Sequence, residues 1–119
     1  MIGKLKGIVD AIGESHAIID VNGVGYEVQI SSRTLRKLKV GEPTSLTIDT
    51  HVREDAIVLF GFAEEGERTC FRMLTRIQGV GPTLALAILS AMTPEELAAA
   101  IRTSDKASLG RPKGVGPKL

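Results

Sequence analysis

Two periodicities divide this chain. Through residues 1–63, apolar positions mostly alternate. Val24, Tyr26, Val28 and Ile30 are interleaved with Gly25, Glu27 and Gln29, the two-residue period of a strand. Asn22-Gly23 precedes them, a pair suited to the positive φ that a type I′ turn needs at both central residues. A hairpin is therefore predicted from His16–Val21 into Val24–Ile30, with Ala17, Ile18, Ile19 and Val21 as its more buried arm. Ile2–Val9 reads as a preceding strand, with bends or bulges at Gly3 and Gly7 and a turn over Asp10–Ser15. Ser31-Ser32 with Leu35 and Leu38 predicts one or two helical turns, which Gly41-Glu42-Pro43 ends. Thr44–Val52, with Leu46, Ile48 and Val52 in phase, and Ala56–Phe62 are two further strands around an Arg53-Glu54-Asp55 turn. Five strands with a helical insert after the third is the order of an OB-type barrel.

Over residues 64–119 the period changes to that of helices. Phe71, Leu74 and Ile77 share one face and Arg68, Arg72 and Arg76 another, with Gly79 as the expected stop. Pro82 opens the next helix, at a position where a missing N–H leaves nothing unpaired. Leu84, Leu86, Ala87, Ile88 and Met92 make that helix apolar on most sides, so it is expected to be buried. Thr93-Pro94-Glu95-Glu96 is a capping box ahead of Leu97, Ala98 and Ile101. Ser104 or Asp105 is placed to cap a short last helix ending at Gly110. The fold class read from the pattern is α+β: an OB-fold barrel domain over 1–63, then an all-α domain over 64–119.

Composition narrows the class. One cysteine, Cys70, closes no internal disulfide, which excludes a disulfide-stapled secreted domain. Cys70 lies beside Phe71 in the helical pattern and reads as buried and inert. The apolar run Leu84–Met92 is far short of a membrane span, and charges interrupt the first apolar stretch, unlike a signal peptide. A cytoplasmic protein with no membrane contact is expected. Net charge is only +1, which looks wrong for a nucleic-acid binder. The total hides asymmetry. Residues 1–63 hold seven basic and eight acidic side chains; Arg102–Leu119 holds five basic and one acidic. Arg33, Arg36, Lys37 and Lys39 form a second basic cluster.

The chemistry lies in a repeat. Gly79-Val80-Gly81-Pro82-Thr83-Leu84 returns 35 residues later as Gly114-Val115-Gly116-Pro117-Lys118-Leu119. Paired glycines let a backbone turn tightly and approach a ligand. A helix starting just after them directs free N–H groups and a positive dipole end at that ligand, an arrangement that suits phosphate. The valine between the glycines would anchor the turn. This is the helix-hairpin-helix arrangement, which holds nucleic-acid backbones without reading bases. Gly23-Val24-Gly25 has the same letters, but alternating residues come after it, so it is read as structural. No Gly-Lys-Ser/Thr or dinucleotide fingerprint is present.

These features, with the start Met-Ile-Gly-Lys-Leu-Lys-Gly, Val52-Arg53-Glu54-Asp55-Ala56 before Leu59-Phe60-Gly61-Phe62, and the run Gly79–Ser90, resemble the RuvA family over essentially the whole chain. That family comprises the Holliday-junction-binding subunits of bacterial RuvAB branch-migration complexes. The resemblance implies a DNA-binding, non-enzymatic subunit acting in recombination, repair of DNA damage and the SOS response. It implies a homotetramer, or an octamer on DNA, that holds a four-way junction open and square. Tandem hairpins would hold the phosphates of duplex arms, here through Gly79, Val80, Gly81 and Thr83, and Gly114, Val115, Gly116 and Lys118. Glu54 and Asp55 match an acidic pin at the disc centre, and Arg53 a DNA-contacting arginine. RuvB, a hexameric ATPase, would drive the arms, and RuvC would resolve the junction. No catalytic residue, metal or cofactor is expected in the subunit, since the partner motor uses the ATP. RuvA-like chains usually carry a basic residue where Thr83 stands and an apolar one where Gly110 stands. They also continue past the second hairpin into a linker and a third, motor-binding domain, which this chain is expected to lack. Surface leucines such as Leu86 would suit assembly.

An acidic pair on a polyanion binder makes sense if local repulsion has a use. Two unit charges at contact distance interact by about 4 kcal/mol at an effective dielectric of about 20. Rival functions fit less well. A single-strand-binding barrel stacks bases on aromatics, but three Phe, one Tyr and no Trp make a poor platform. A base-flipping glycosylase or lyase needs a catalytic Lys or Asp beyond the hairpin, and no Asp occurs after Gly79 until Asp105. A nuclease needs clustered carboxylates for metals; Glu64, Glu65 and Glu67 read instead as the solvated first turn of a helix. His16 and His51 are assigned no role.

Overall fold

Asn22 and Gly23 both take positive φ, 53° and 91°, and Asp20 Oδ1 accepts a bond from Gly23 N at 2.7 Å. The hairpin signal is realised as a tight turn between β2 (His16–Val21) and β3 (Val24–Ile30), paired antiparallel from His16↔Gln29 to Val21↔Val24. The computed structural model describes residues 1–103, with side chains described through residue 100. The expected helix ending at Gly110 and the repeat Gly114–Leu119 lie outside these residues.

The chain divides into two compact units, Met1–Arg68 and Thr69–Leu119. The first is a closed five-stranded barrel ordered β1-β2-β3-β5-β4, with β1 at Lys4–Ile12, β4 at Pro43–Val52 and β5 at Ile57–Phe62. Parallel pairing of β3 with β5, from Val28↔Leu59 to Ile30↔Gly61, closes it. β1 overruns its expected end. A bulge between Val9 and Ala11 shifts the register, so that Ala11 and Ile12 go on pairing with Ile18 and Ala17. The irregularity therefore falls at Asp10 rather than at Gly3 or Gly7, and Gly13 N donates to His16 O to close a shorter turn. Inward residues fill the barrel: Ile19, Val28, Ile30, Leu46 and Ile48 are buried. Each such side chain contributes roughly 1.5–3 kcal/mol.

The insert after β3 is a single turn, α1 (Ser32–Leu35), capped by Ser31 Oγ, which accepts from Thr34 N. The first turn of α2 (Glu65–Thr75) belongs to the same unit and corrects one expectation. Glu67 is not solvated but buried, its carboxylate accepting from Thr34 Oγ1 at 3.1 and 3.4 Å and from Ala63 N at 3.4 Å. Arg68 is likewise engaged. It donates to Glu65 Oε2 at 2.6 Å and to Ile48 O at 3.0 Å, so its guanidinium is held by the barrel unit and the N-terminal turn of α2.

In the helical unit, α2 ends at Thr75, before Gly79. The last turn tightens, with Arg76 N donating to Met73 O and Ile77 N to Leu74 O. Next come α3 (Pro82–Ala91) and α4 (Pro94–Thr103). The capping box forms as expected: Thr93 N donates to Glu96 Oε1 and Glu96 N to Thr93 Oγ1, both at 3.0 Å. Phe71, Leu74, Val80, Ile88, Leu89, Met92 and Leu97 are buried. Leu86 is buried, as the apolar pattern of α3 predicts, and so does not offer the surface leucine expected for assembly; Ala87 next to it departs from that pattern and is exposed. Cys70 is half-buried rather than buried.

Candidate nucleic-acid interface

The two glycines of the first hairpin do different work. Gly79 has φ +89°, where an L side chain is strained, so the turn itself requires it. Gly81 has φ −86° and ψ 176°, ordinary extended backbone, and a Cβ there would meet nothing within 4 Å among the described residues. None of those residues requires a glycine at position 81. Val80 lies between them, 5% exposed, its N–H donating to Ile77 O at 3.0 Å. Its side chain anchors the turn, so only its backbone is placed to meet a ligand.

Gly81 is also the N-cap of α3, with no side-chain cap and with Pro82 at the first helical position. The first intrahelical bond runs from Ala85 N to Gly81 O at 3.0 Å. The N–H groups of Thr83 and Leu84 precede it and have no partner among the described residues. Gly81 and Thr83 are both exposed. Bare backbone, two free donors, a hydroxyl and a helix N-terminus thus share one surface spot, with open space where a side chain would stand. Its chemistry suits a phosphate oxygen. Gly114, Val115, Gly116 and Lys118, the second copy, lie outside the described residues.

Arg53, Glu54 and Asp55 sit at the tip of the β4–β5 hairpin, closed by Arg53 N donating to Ala56 O at 2.8 Å. All three are exposed. Among the described residues neither carboxylate has an ion pair or a side-chain hydrogen bond. Behind the tip, the cross-strand pair Val52 and Ile57 is 60% and 69% exposed, so the apolar phase of β4 leaves the core at its last residue. The tip is a charged turn on an apolar neck, held by the barrel.

His51 has no role legible from the sequence pattern, yet its Nε2 lies 3.0 Å from Asp49 Oδ2 and its ring meets Phe60 edge-on at 4.8 Å. A strand places residues i and i+2 on one face, which is the signal that pairs them. Glu67 is the second residue whose surroundings the pattern misses. Burial pushes its carboxyl above the ordinary 4.5, and the bonds from Thr34 and Ala63 and the charge of Lys37 oppose that rise. Among the described residues no three His, Cys, Asp or Glu side chains gather as a metal site, and no single helix is long and apolar enough to cross a membrane.

Comparison with known proteins places these features. Residues 1–61 match a family profile described as RuvA N terminal domain. The chain belongs to the RuvA family. Residues 71–119 match a second profile, SAM-like helix-hairpin-helix tandem, which spans both copies of the repeat. Over the whole chain it is 58% identical to the Holliday junction branch migration complex subunit RuvA of Methylobacterium radiotolerans and 58% identical to that of Azorhizobium caulinodans. It is 56% identical to that of Paramagnetospirillum magneticum. The chain spans 58%, 58% and 56% of the length of these relatives.

Proposed function

We propose that this chain is the DNA-holding part of a subunit that binds four-way junctions and keeps them open for branch migration in recombination and repair. The observation that carries the reading is the exposed Gly81, which no described residue requires to be glycine, next to the N–H groups of Thr83 and Leu84, which have no partner among the described residues. A phosphate oxygen gains charge-assisted bonds there, and the absent Cβ leaves room for a close approach. Thr83 adds a hydroxyl without charge. The second copy of the repeat, with Lys118, is taken from the sequence to hold phosphates of a duplex arm as well. Arg53 contacts DNA near the crossover, and Glu54 and Asp55 repel phosphates there. The junction lies on a homotetramer, or between two in an octamer. The chain performs no bond-making step; RuvB supplies the ATP-driven motion, RuvC acts on the same junction, and the setting is the cytoplasm.

The test is a gel-shift competition between a four-way junction and linear duplex of matched sequence. Preference for the junction is expected, with affinity falling by a log–log salt slope of about −0.9 per phosphate neutralised. Equal affinity for both DNAs, or a flat salt profile, rejects the reading. Glu54→Gln with Asp55→Asn is expected to leave junction binding unchanged or tighter while changing branch migration; weaker binding contradicts the pin.

A further inference from the structure

The basic cluster on the barrel is left unexplained by phosphate gripping at the hairpins. Residues 31–41 contain Arg33, Arg36, Lys37 and Lys39 and no carboxylate. Arg33 is half-buried, but Arg36, Lys37 and Lys39 are exposed, and neither Arg36 nor Lys39 has an ion pair among the described residues. The segment that bears them is firmly placed. Lys37 N donates to Thr34 O, Leu38 N to Leu35 O, and Glu42 N to Lys39 O. Gly41 N donates to Val9 O and Val9 N to Glu42 O, which fastens the segment to β1. Thr34, one turn earlier, is tied to the buried Glu67.

The cations have apolar company. Val40, next to Lys39, is 61% exposed, and Ile8, next to Val9 on β1, is 44% exposed and faces outward beside its cross-strand partner Pro43. Lys6 lies two residues from Ile8 on the same outward side of β1. Three carboxylates border the patch: Asp10 on β1, Glu42, and Asp20, the cross-strand partner of Ile8 on β2, which is engaged with Gly23 N. β4 runs from this patch at Pro43 to the acidic tip beyond Val52, and ten residues at about 3.3 Å each make that roughly 30 Å. The basic patch and the acidic tip therefore occupy opposite ends of the barrel.

We propose that this end of the barrel is a docking surface for an acidic, partly apolar segment of a partner protein, held by Arg36, Lys37 and Lys39 and seated on Val40 and Ile8. A nucleic-acid backbone fits less well: it offers nothing apolar to cover Val40 and Ile8, and no exposed aromatic stands here to stack a base. An amphipathic acidic peptide meets both halves of the surface, with charge setting its orientation and approach and apolar side chains adding buried area.

The experiment measures fluorescence anisotropy of a short fluorescein-labelled peptide built from Glu, Leu and Ala, added to the intact chain. Binding is expected to weaken by about tenfold or more in the triple variant Arg36→Gln, Lys37→Gln, Lys39→Gln, roughly 1.4 kcal/mol per tenfold. Val40→Ser, which keeps every cation, is expected to weaken it several-fold and decides the question even if the triple variant unfolds. Saturating four-way junction is expected to leave peptide binding intact. Undiminished peptide binding in both variants overturns the proposal. So does displacement of the peptide by the junction together with an equal loss of junction affinity in the triple variant, which would assign the patch to DNA.

Discussion

Gly23-Val24-Gly25 and Gly79-Val80-Gly81 are the same three letters in two settings. In both, the first glycine has a φ near +90° and makes a turn possible. There the likeness ends. Val24 is 53% exposed at the mouth of a hairpin, whereas Val80 is buried. A Cβ at Gly25 would sit 3.1 Å from Ile18 Cγ2, inside the sheet's own packing, whereas one at Gly81 would meet open space. The next element sets the two apart: alternating residues continue a strand after Gly25, and Pro82 starts a helix after Gly81. A tripeptide motif thus acquires its chemistry from its neighbour in the chain: β3 is paired along β2, whereas a helix start leaves backbone donors without partners.

The two valines should differ most when each is replaced by a charge. Val80→Asp buries an unpaired charge and is expected to lower stability by about 3 kcal/mol or more. Val24→Asp is expected to stay within about 0.5 kcal/mol. Urea unfolding midpoints of the two variants check the contrast, and similar losses would erase it. The turning glycines come next. Gly79→Ala and Gly23→Ala each force a side chain into the left-handed region, with an expected loss of about 1–2 kcal/mol. Thermal melts should show comparable shifts, since this part of the two motifs is alike.

Much of both settings is legible in the chain, for reasons that can be named. Asn22-Gly23 and Thr93-Pro94-Glu95-Glu96 are local devices whose partners lie within three residues, and both form as expected. The extension of β1 is not legible, because the bulge at Asp10 depends on pairing with a different strand. Glycine commonly stops helices, which points to Gly79 as the end of α2, yet the helix closes four residues earlier through tightened bonds to Met73 and Leu74. Glu67 defeats the sequence pattern for a related cause. A carboxylate in a first helical turn is normally solvated, and only the tertiary approach of Thr34 makes this one buried. At the hairpin, the repeat singles out Gly79 and Gly81 and assigns both one role, and the dihedral angles separate them.

Glu67 yields the smallest expected effect. Burial raises its pKa, so its protonated form suits the folded state better than the ionised one. The stability it contributes is fullest below the ordinary value of 4.5 and is lost as pH rises through the raised folded value. Glu67→Gln keeps an acceptor for Thr34 and Ala63 but does not titrate. The stability of the parent minus that of the variant is therefore expected to fall as pH rises from about 4 to 7. A difference independent of pH would show that Glu67 does not titrate in the folded protein with a raised pKa.

The proposed phosphate site implies that position 81 is glycine for a ligand and not for the fold. The junction affinity of Gly81→Val tests this, since any residue adopts its backbone angles and a Cβ there meets no atom of the described residues within 4 Å. The expected result is an unchanged melting temperature with junction affinity reduced by about tenfold, as the side chain holds phosphate away from the N–H groups of Thr83 and Leu84. Unchanged affinity in a variant that folds normally would show that no phosphate approaches Gly81.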